Sequence, residues 1–473
     1  MKLSLLSFLF IFISGALFSQ NEVNKILGDW QGDLEVQGTK LKVVFHLQAD
    51  KKGVLSATMD SPEQNSFGNP ADKVSFENGH LKIVVQKIMA KYEGDYQVAS
   101  DNLTGNFFQG TASFPLNLMR SVQKIEKPKR SQEVKPPFPY KTEEVSIENA
   151  ADKLTLSGTL TLPKGKAPFP VAILVSGSGP QNRDEELLGH KPFAVIADDF
   201  ARKGIATLRY DDRGVGKSKG DFATATSEDF AKDALAVVEF LSKHKKIDVK
   251  KIGIIGHSEG GMVAPMVASK SKDVAFIVLM AGPGISGGEI LALQARLISE
   301  AEGTNSESLE KELRSQKMCL DLVKNQSNTE LLKKELAQFL QTEYEALSEE
   351  EKAKDKDFVK NIPQTVGAFC SPWMQYFIRY NPQPVLEKVS CAVLAINGEK
   401  DLQVPYRENL AGIEAALKKG GNKNFKVQSF PNMNHLFQTT ETGKVSEYVK
   451  IEETINPKVL NTMSDWILSL GKQ

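Results

Sequence analysis

The chain predicts an α/β protein, a mostly parallel sheet with helices on both faces, preceded by a small antiparallel β domain. Three observations predict it. From about residue 141 onward, continuous apolar runs such as Phe169-Pro170-Val171-Ala172-Ile173-Leu174-Val175 alternate with amphipathic segments, the pattern of strands covered on both faces by helices. From Ile26 to Arg120 the apolar residues instead recur with a period of two, as in half-buried antiparallel strands. Within the α/β part, Lys251-Ile252-Gly253-Ile254-Ile255 runs into Gly256-His257-Ser258-Glu259-Gly260-Gly261. A serine between glycines at a strand-to-helix turn is how an ordinary hydroxyl is presented as a nucleophile.

The β domain is read first. Leu41, Val43, Phe45 and Leu47 alternate with polar residues, and Leu81, Ile83 and Val85 follow the hairpin signal Asn78-Gly79. Tyr92, Gly94 and Tyr96, then Leu103, Gly105 and Phe107, continue the period, giving a small barrel or sandwich over residues 21–120. His46 and His80 read there as lone structural residues, with no histidine–carboxylate cluster. Residues 121–140, with Lys127-Pro128-Lys129-Arg130 and Lys135-Pro136-Pro137-Phe138-Pro139, read as a semi-extended linker with solvated charges.

Two alternating strands, Thr142 to Ile147 and Leu154 to Leu162, then lead into the run at Phe169. A helix from Glu186 to Lys203, a strand from Ile205 to Tyr210 and a helix from Ser227 to Lys243 precede the serine turn, and Val274 to Met280 is the next buried strand. Core residues 141–287 are thus followed by a helix-rich, highly charged insertion, 288–381, before the sheet resumes in 382–473 with strands Cys391–Ile396 and Phe425–Phe430 and a closing helix, Asn456 to Leu470. Asp355-Lys356-Asp357 reads as solvated helical surface. Phe369, Trp373, Met374, Tyr376 and Phe377 must bury against the core or form a lid over a substrate pocket.

Composition sets limits. The 473 residues are too many for one compact core. Lys+Arg and Asp+Glu are each 59, so no global charge argues for nucleic acid. Lys2, the apolar stretch Leu3 to Phe18 and Ser19-Gln20-Asn21 have the layout of a secretory signal over residues 1–20. The expected protein is therefore exported, periplasmic or secreted, with no stable membrane insertion after cleavage. Cys319, Cys370 and Cys391 leave at least one free thiol, with a Cys319–Cys370 bridge left open. No zinc-type cysteine pairs or phosphate-cradling glycine motif are present.

A serine nucleophile needs a general base, and the base needs an acid to orient it. Of six histidines, His46 and His80 belong to the β domain, His190 reads as part of a helix, and His244 sits at a solvated helix end. His257, beside the serine, cannot easily turn back onto it. His435, in the loop Pro431-Asn432-Met433-Asn434-His435 after the last strand, remains. Asp401, in Gly398-Glu399-Lys400-Asp401, follows the preceding strand, with Glu399 as competitor. Ser258, Asp401 and His435 then fall in the order nucleophile, acid, base, each just past a strand. The N–H of Glu259 and one from Ser178 or Gly177, in Ser176-Gly177-Ser178-Gly179-Pro180, are the candidate oxyanion donors. Asp212 and Arg213, in Asp211-Asp212-Arg213-Gly214-Val215-Gly216-Lys217-Ser218, read as a structural ion pair.

These motifs, together with Gly177-Ser178-Gly179-Pro180-Gln181, Leu402-Gln403-Val404-Pro405 and Asn434-His435, make residues 141–473 resemble an α/β-hydrolase. The likeness is to exported or thermophilic esterases with a small N-terminal β domain, and more distantly to serine aminopeptidase-like hydrolases. It implies a serine carboxylesterase with a helical cap inserted after the sixth strand. The family often has His-Gly ahead of its oxyanion loop, where this chain has Ser176-Gly177. The expected activity is hydrolysis of a small-molecule carboxylic ester with a short acyl chain, without metal or organic cofactor. A serine peptidase on the same fold and a glycan- or lipid-binding protein are the alternatives, and homo-oligomerisation is left open.

Overall fold

The computed structural model describes residues 23–36, 39–50, 53–62, 66–109, 112–121, 129–354 and 358–470. The expected signal at 1–20, the start of the linker including Lys127 and Pro128, and Asp355-Lys356-Asp357 lie outside the described residues. The chain divides after Lys129 into two compact units.

The first unit is one antiparallel sheet of ten described strands. They are β1 (Gly28–Val36), β2 (Thr39–Ala49), β3 (Leu55–Ser61), β4 (Ser66–Pro70), β5 (Lys73–Glu77), β6 (His80–Val85), β7 (Ala90–Gln97), β8 (Asn102–Gln109), β9 (Ala112–Pro115) and β10 (Leu118–Arg120). The order is β4-β3-β2-β1-β10-β8-β7-β6-β5, with β9 paired to β8. Asn78 and Gly79 both have positive φ, 51° and 81°, the two left-handed residues that a tight β5–β6 hairpin requires. The alternating apolar residues fill one core around Trp30, Phe45 and Tyr92. Trp30 is wholly buried because its Nε1–H donates to the Ile26 carbonyl at 2.7 Å. His46 is not a lone residue. Its Nδ1 lies 2.7 Å from Asp29 and its Nε2 2.9 Å from Asp60, a pairing across strands that no local pattern announces.

The second unit holds an eight-stranded sheet: β11 (Lys141–Asn149), β12 (Leu154–Leu162), β13 (Phe169–Val175), β14 (Ala206–Tyr210), β15 (Ile247–His257), β16 (Phe276–Met280), β17 (Ala392–Gly398) and β18 (Phe425–Phe430). The order is β11-β12-β14-β13-β15-β16-β17-β18. The first two pairings are antiparallel and the rest parallel, and β13 and β15 are central. Helices α1 (Pro192–Arg202), α2 (Ser227–Ser242) and α3 (Gly260–Ala268) lie in the first part of this unit. The insertion contributes α4 (Gly287–Glu302), α5 (Ser306–Asn325), α6 (Thr329–Glu345), α7 (Glu349–Lys354), α8 (Phe358–Phe369) and α9 (Pro372–Arg379), and the short α10 (Gln383–Leu386) follows it. Helices α11 (Tyr406–Lys419), α12 (Val445–Tyr448) and α13 (Pro457–Ser469) complete the chain.

Alternate residues of the parallel strands feed two cores, one under α2, α3 and α11 and one under α1 and α13. The insertion has its own core, including Leu332, Leu336 and Ile378. Cys319 and Cys370 sit there as free thiols, so the open question of a bridge is answered by two unpaired side chains. Burial pushes the Cys319 thiol up to about 11.

Two sequence expectations are corrected in this unit. Arg130 is not a solvated linker charge, because its guanidinium donates to the carbonyls of Leu188, Val449 and Ile451 at 2.9 Å each. Gln132 extends the attachment, accepting from Thr454 N–H and donating to Ile455 O. His190 lies ahead of α1, bridged to Leu187, since the helix begins only at Pro192. It is fully buried against Tyr448 O and Gln438, and burial lowers its pKa to about 4.

Candidate active site

The serine turn is set by close packing. Strand β15 ends at His257, and α3 begins at Gly260, leaving two residues to reverse the chain. Ser258 takes φ +52°, an unfavourable left-handed conformation for a residue with a Cβ. It is held there by its N–H bond to Met280 O at 2.8 Å and by Gly261 N–H on its own carbonyl. A Cβ at Gly256 would lie 1.9 Å from Gly260 O, and one at Gly260 would lie 2.1 Å from Val175 O, so both positions exclude any side chain. The N–H of Glu259, just ahead of the first turn of α3, has no acceptor among the described residues.

His435 is carried by a loop that is hydrogen-bonded to itself. Asn434 Oδ1 accepts from the N–H groups of Leu436 and Gln438 at 3.0 Å each, and its Nδ2 donates to Gln438 Oε1. Gly398, at the end of β17, lets that loop approach, since a Cβ there would meet Met433 O at 2.3 Å. Asp401 is buried, with Oδ1 accepting from Gln403 and Val404 N–H at 2.8 and 2.9 Å. Its other oxygen, Oδ2, takes the Nδ1 proton of His435 at 2.7 Å. That bond leaves Nε2 as the nitrogen free to accept a proton. Glu399, the competing acid, is exposed and bonded to Ser429 Oγ instead. No hydrogen bond joins Ser258 Oγ to His435 among the described residues, a contact that commonly tightens only when substrate is bound.

The glycine-rich loop after β13 lies against the serine, because a Cβ at Gly177 would stand 3.2 Å from Ser258 Cβ. Of its two candidate donors, Gly177 is already committed, giving its N–H to Glu185 Oε1 at 2.7 Å. Ser178 N–H has no acceptor among the described residues, so Ser178 and Glu259 remain as the pair of open donors. Asp212 shapes the loop from beneath: Ser176 Oγ and Gln181 N–H each lie 2.9 Å from its carboxyl oxygens. Burial, reinforced by the neighbouring Glu259 and Glu185, raises the Asp212 pKa to about 8 against the bonds that favour its charge.

The expected Asp212–Arg213 ion pair does not form. Arg213 turns away, to Asp233 at 2.7 Å and Asp152 at 2.8 Å, while Asp212 faces Ser176 and Gln181.

Two further groups complete the surroundings. His257 is buried between Glu185 Oε1, 2.9 Å from its Nδ1, and the His435 carbonyl, 3.0 Å from its Nε2. Its ring lies 4.7 Å from that of His435. Glu259 is buried too, with Oε1 accepting from Ser227 Oγ and from Trp373 Nε1 at 2.7 Å, the latter on α9 of the insertion. Its Oε2 has no partner among the described residues, and burial pushes its pKa up. Trp373 stacks on Phe377 at 5.2 Å. Sequence reasoning missed Glu185, which lies in an irregular loop with no motif around it. The one available signal was its position a few residues beyond the glycine-rich loop.

Among the described residues, no group of three or more His, Cys, Asp or Glu side chains could hold a metal ion, and no helix is long and apolar enough to cross a membrane.

Comparison with known proteins bears on this unit. Esterase EstD of Thermotoga maritima is 28% identical over 319 residues, which is 66% of this chain and 65% of that esterase. An uncharacterised 31.7 kDa protein of Escherichia coli is 31% identical over 121 residues, 25% of this chain and 40% of its own. Among solved structures, a Pyrococcus furiosus esterase aligns over 73% of this chain and 96% of its own, with 17% identity and a TM-score of 0.42. The family model for the X-Pro dipeptidyl-peptidase (S15 family) matches residues 152–425, spanning the glycine-rich loop, the serine turn, the helical insertion and Asp401. A mixed sheet of this strand order, with helices on both faces and the serine turn after its central strand, is an α/β-hydrolase fold, and the chain belongs to the X-Pro dipeptidyl-peptidase (S15) family.

Proposed function

We propose that the chain is a serine hydrolase that cleaves carboxylic esters through an acyl-enzyme. Ser258 Oγ attacks the carbonyl carbon while His435 Nε2 takes its proton. Asp401 holds the imidazole in that tautomer and stabilises its cation. The N–H groups of Glu259 and Ser178 receive the oxyanion. Collapse of the tetrahedral intermediate expels the alcohol, protonated by His435, and a water activated by the same base then releases the acid. The observation that carries this reading is the strained Ser258 beside two open backbone donors, with the His435 Nδ1–Asp401 bond at 2.7 Å on the neighbouring loop.

The second reading, peptidase release of an X-Pro dipeptide, is favoured by the family match. It requires a carboxylate free to hold a substrate amine. Glu259 is the nearest candidate: its Oε1 is engaged by Ser227 and Trp373, while its Oε2 has no partner among the described residues. The likeness to Esterase EstD supports the ester reading over this one. The ester is read as one with a short acyl chain, and esters of graded acyl length test this.

One preparation is assayed on p-nitrophenyl esters of graded acyl length and on X-Pro p-nitroanilides. The expected result is dominant turnover of the short esters, abolished in Ser258→Ala. Dominant anilide turnover would replace the ester reading with the peptidase one. The apolar stretch Leu3 to Phe18 supports export of the protein, which N-terminal sequencing of the protein recovered from each cell fraction tests.

A further inference from the structure

We propose that Glu185 and His257 form a buried ion pair that straps the oxyanion loop to the base loop and places a fixed positive charge beside His435. The inference rests on the reading of Ser258, His435 and Asp401 as the reacting groups, and its physical basis is a proton count. The two ring nitrogens of His257 face a carboxylate oxygen, Glu185 Oε1, and a backbone carbonyl, His435 O. Both are acceptors. A neutral imidazole has one N–H and satisfies one of them; an imidazolium satisfies both. Glu185 Oε1 also accepts the Gly177 N–H at 2.7 Å, which favours the carboxylate rather than the acid at that oxygen.

The charges are therefore His257 positive and Glu185 negative, both buried. Burial by itself would lower the His257 pKa, but the charge of Glu185, its hydrogen bond and the His435 carbonyl raise it on balance, with Asp401 adding to the effect. Glu185 has φ +50°, a left-handed conformation in a residue with a long side chain, the kind of local strain that persists where surrounding contacts demand it.

The pair has two effects. It ties Gly177, at the foot of the oxyanion loop, to the backbone of His435 through three consecutive hydrogen bonds. It also sets a cation whose ring is 4.7 Å from that of His435, with the compensating anion on the far side of His257. The groups facing His257 are Glu185, His435 and Asp401, and Asp212 lies beyond Glu185. The His257 cation and the Asp401 carboxylate, 2.7 Å from Nδ1, act on the His435 ring with opposite sign. Glu185 and His257 thus act as positioning residues that hold the base loop and set a charge beside the reacting imidazole.

The test uses the full chain with 15N-labelled histidine. In the wild type, His257 is expected to remain doubly protonated above the ordinary imidazole pKa. His46, which lies between two carboxylates, gives a similar signal and is told apart because Glu185→Gln leaves it unchanged while His257 becomes neutral. In Glu185→Gln, the acid limb of the kcat/KM profile should move up by several tenths to about one pH unit. kcat should fall about 10- to 100-fold with KM changing less. A neutral wild-type His257 would overturn the proposal. So would an unmoved acid limb, even with reduced kcat, because a merely structural loss scales the whole profile without shifting it. If Glu185→Gln does not fold, the wild-type spectrum decides, with His46→Gln identifying the other signal. Undiminished turnover in Ser258→Ala would sink the catalytic reading while leaving the protonation state of His257 separately measured.

Discussion

Replacing Asp212 by asparagine isolates the electrostatic cost of the carboxyl beneath the glycine-rich loop. The substitution reproduces the neutral acid atom for atom. A protonated Asp212 donates one O–H to Ser176 Oγ and accepts the Gln181 N–H, and an asparagine Nδ2 and Oδ1 can do the same at the observed separations of 2.9 Å. With a folded pKa of about 8 against the ordinary 3.8, the folded protein holds a proton that the unfolded chain has lost between those values. Stability is therefore full below about pH 4 and falls as pH rises through that window, by about 1.4 kcal/mol per unit at most. The amide of the variant does not titrate and has no such dependence. The stability of Asp212→Asn relative to wild type should rise by about 2–3 kcal/mol between pH 5 and 7 and level off above about pH 8. Urea unfolding at each pH, with the transitions of the two units fitted separately, measures it. A difference that does not vary with pH would refute the reasoning, since it would mean that Asp212 is already ionised in the folded protein at pH 5.

Three other substitutions carry definite expectations. Asp401→Asn keeps the shape of the loop but can hold His435 in the wrong tautomer, so kcat for the ester should fall by about 10⁴ with KM little changed; a loss below tenfold would place the orienting acid elsewhere. Gly260→Ala puts a Cβ 2.1 Å from the Val175 carbonyl, and should yield no soluble, active protein; normal expression with normal turnover would contradict the packing described for the turn. Trp373→Phe keeps the ring stacked on Phe377 while removing the donor to Glu259. It should cost about 1–3 kcal/mol in urea unfolding by leaving a buried carboxyl less satisfied, and an unchanged midpoint would mean that this bond carries no net stability.

Much of this was legible in the chain because it is written in local pattern. Phe169–Val175, Leu154–Leu162 and Phe425–Phe430 are apolar or alternating runs bounded by turn residues, and each is the strand its pattern predicts. Ser258, Asp401 and His435 could be singled out because each follows a recognisable strand, and His435 is brought to Asp401 by the parallel pairing of β17 and β18. What was not legible depends on side chains meeting across long separations. His46 finds Asp29 and Asp60 on neighbouring strands. Arg213 finds Asp233 on α2 rather than the adjacent Asp212. Glu185 meets His257 from 72 residues away, out of an irregular loop just ahead of the segment that reads as a helix. Arg130 reads as linker because its neighbours are lysine and proline, yet the carbonyls that hold it come from Leu188, Val449 and Ile451. Hydrophobic period reports which face is buried, not which charges meet there.

The central claim is that Ser258 is the acylated residue, and covalent labelling tests it most directly. A fluorophosphonate probe added to the full chain, followed by digestion and mass spectrometry, should place one phosphonyl group on the peptide bearing Ser258, with ester turnover falling in proportion to labelling. A label on another residue, or turnover that survives complete modification of Ser258, would contradict the account.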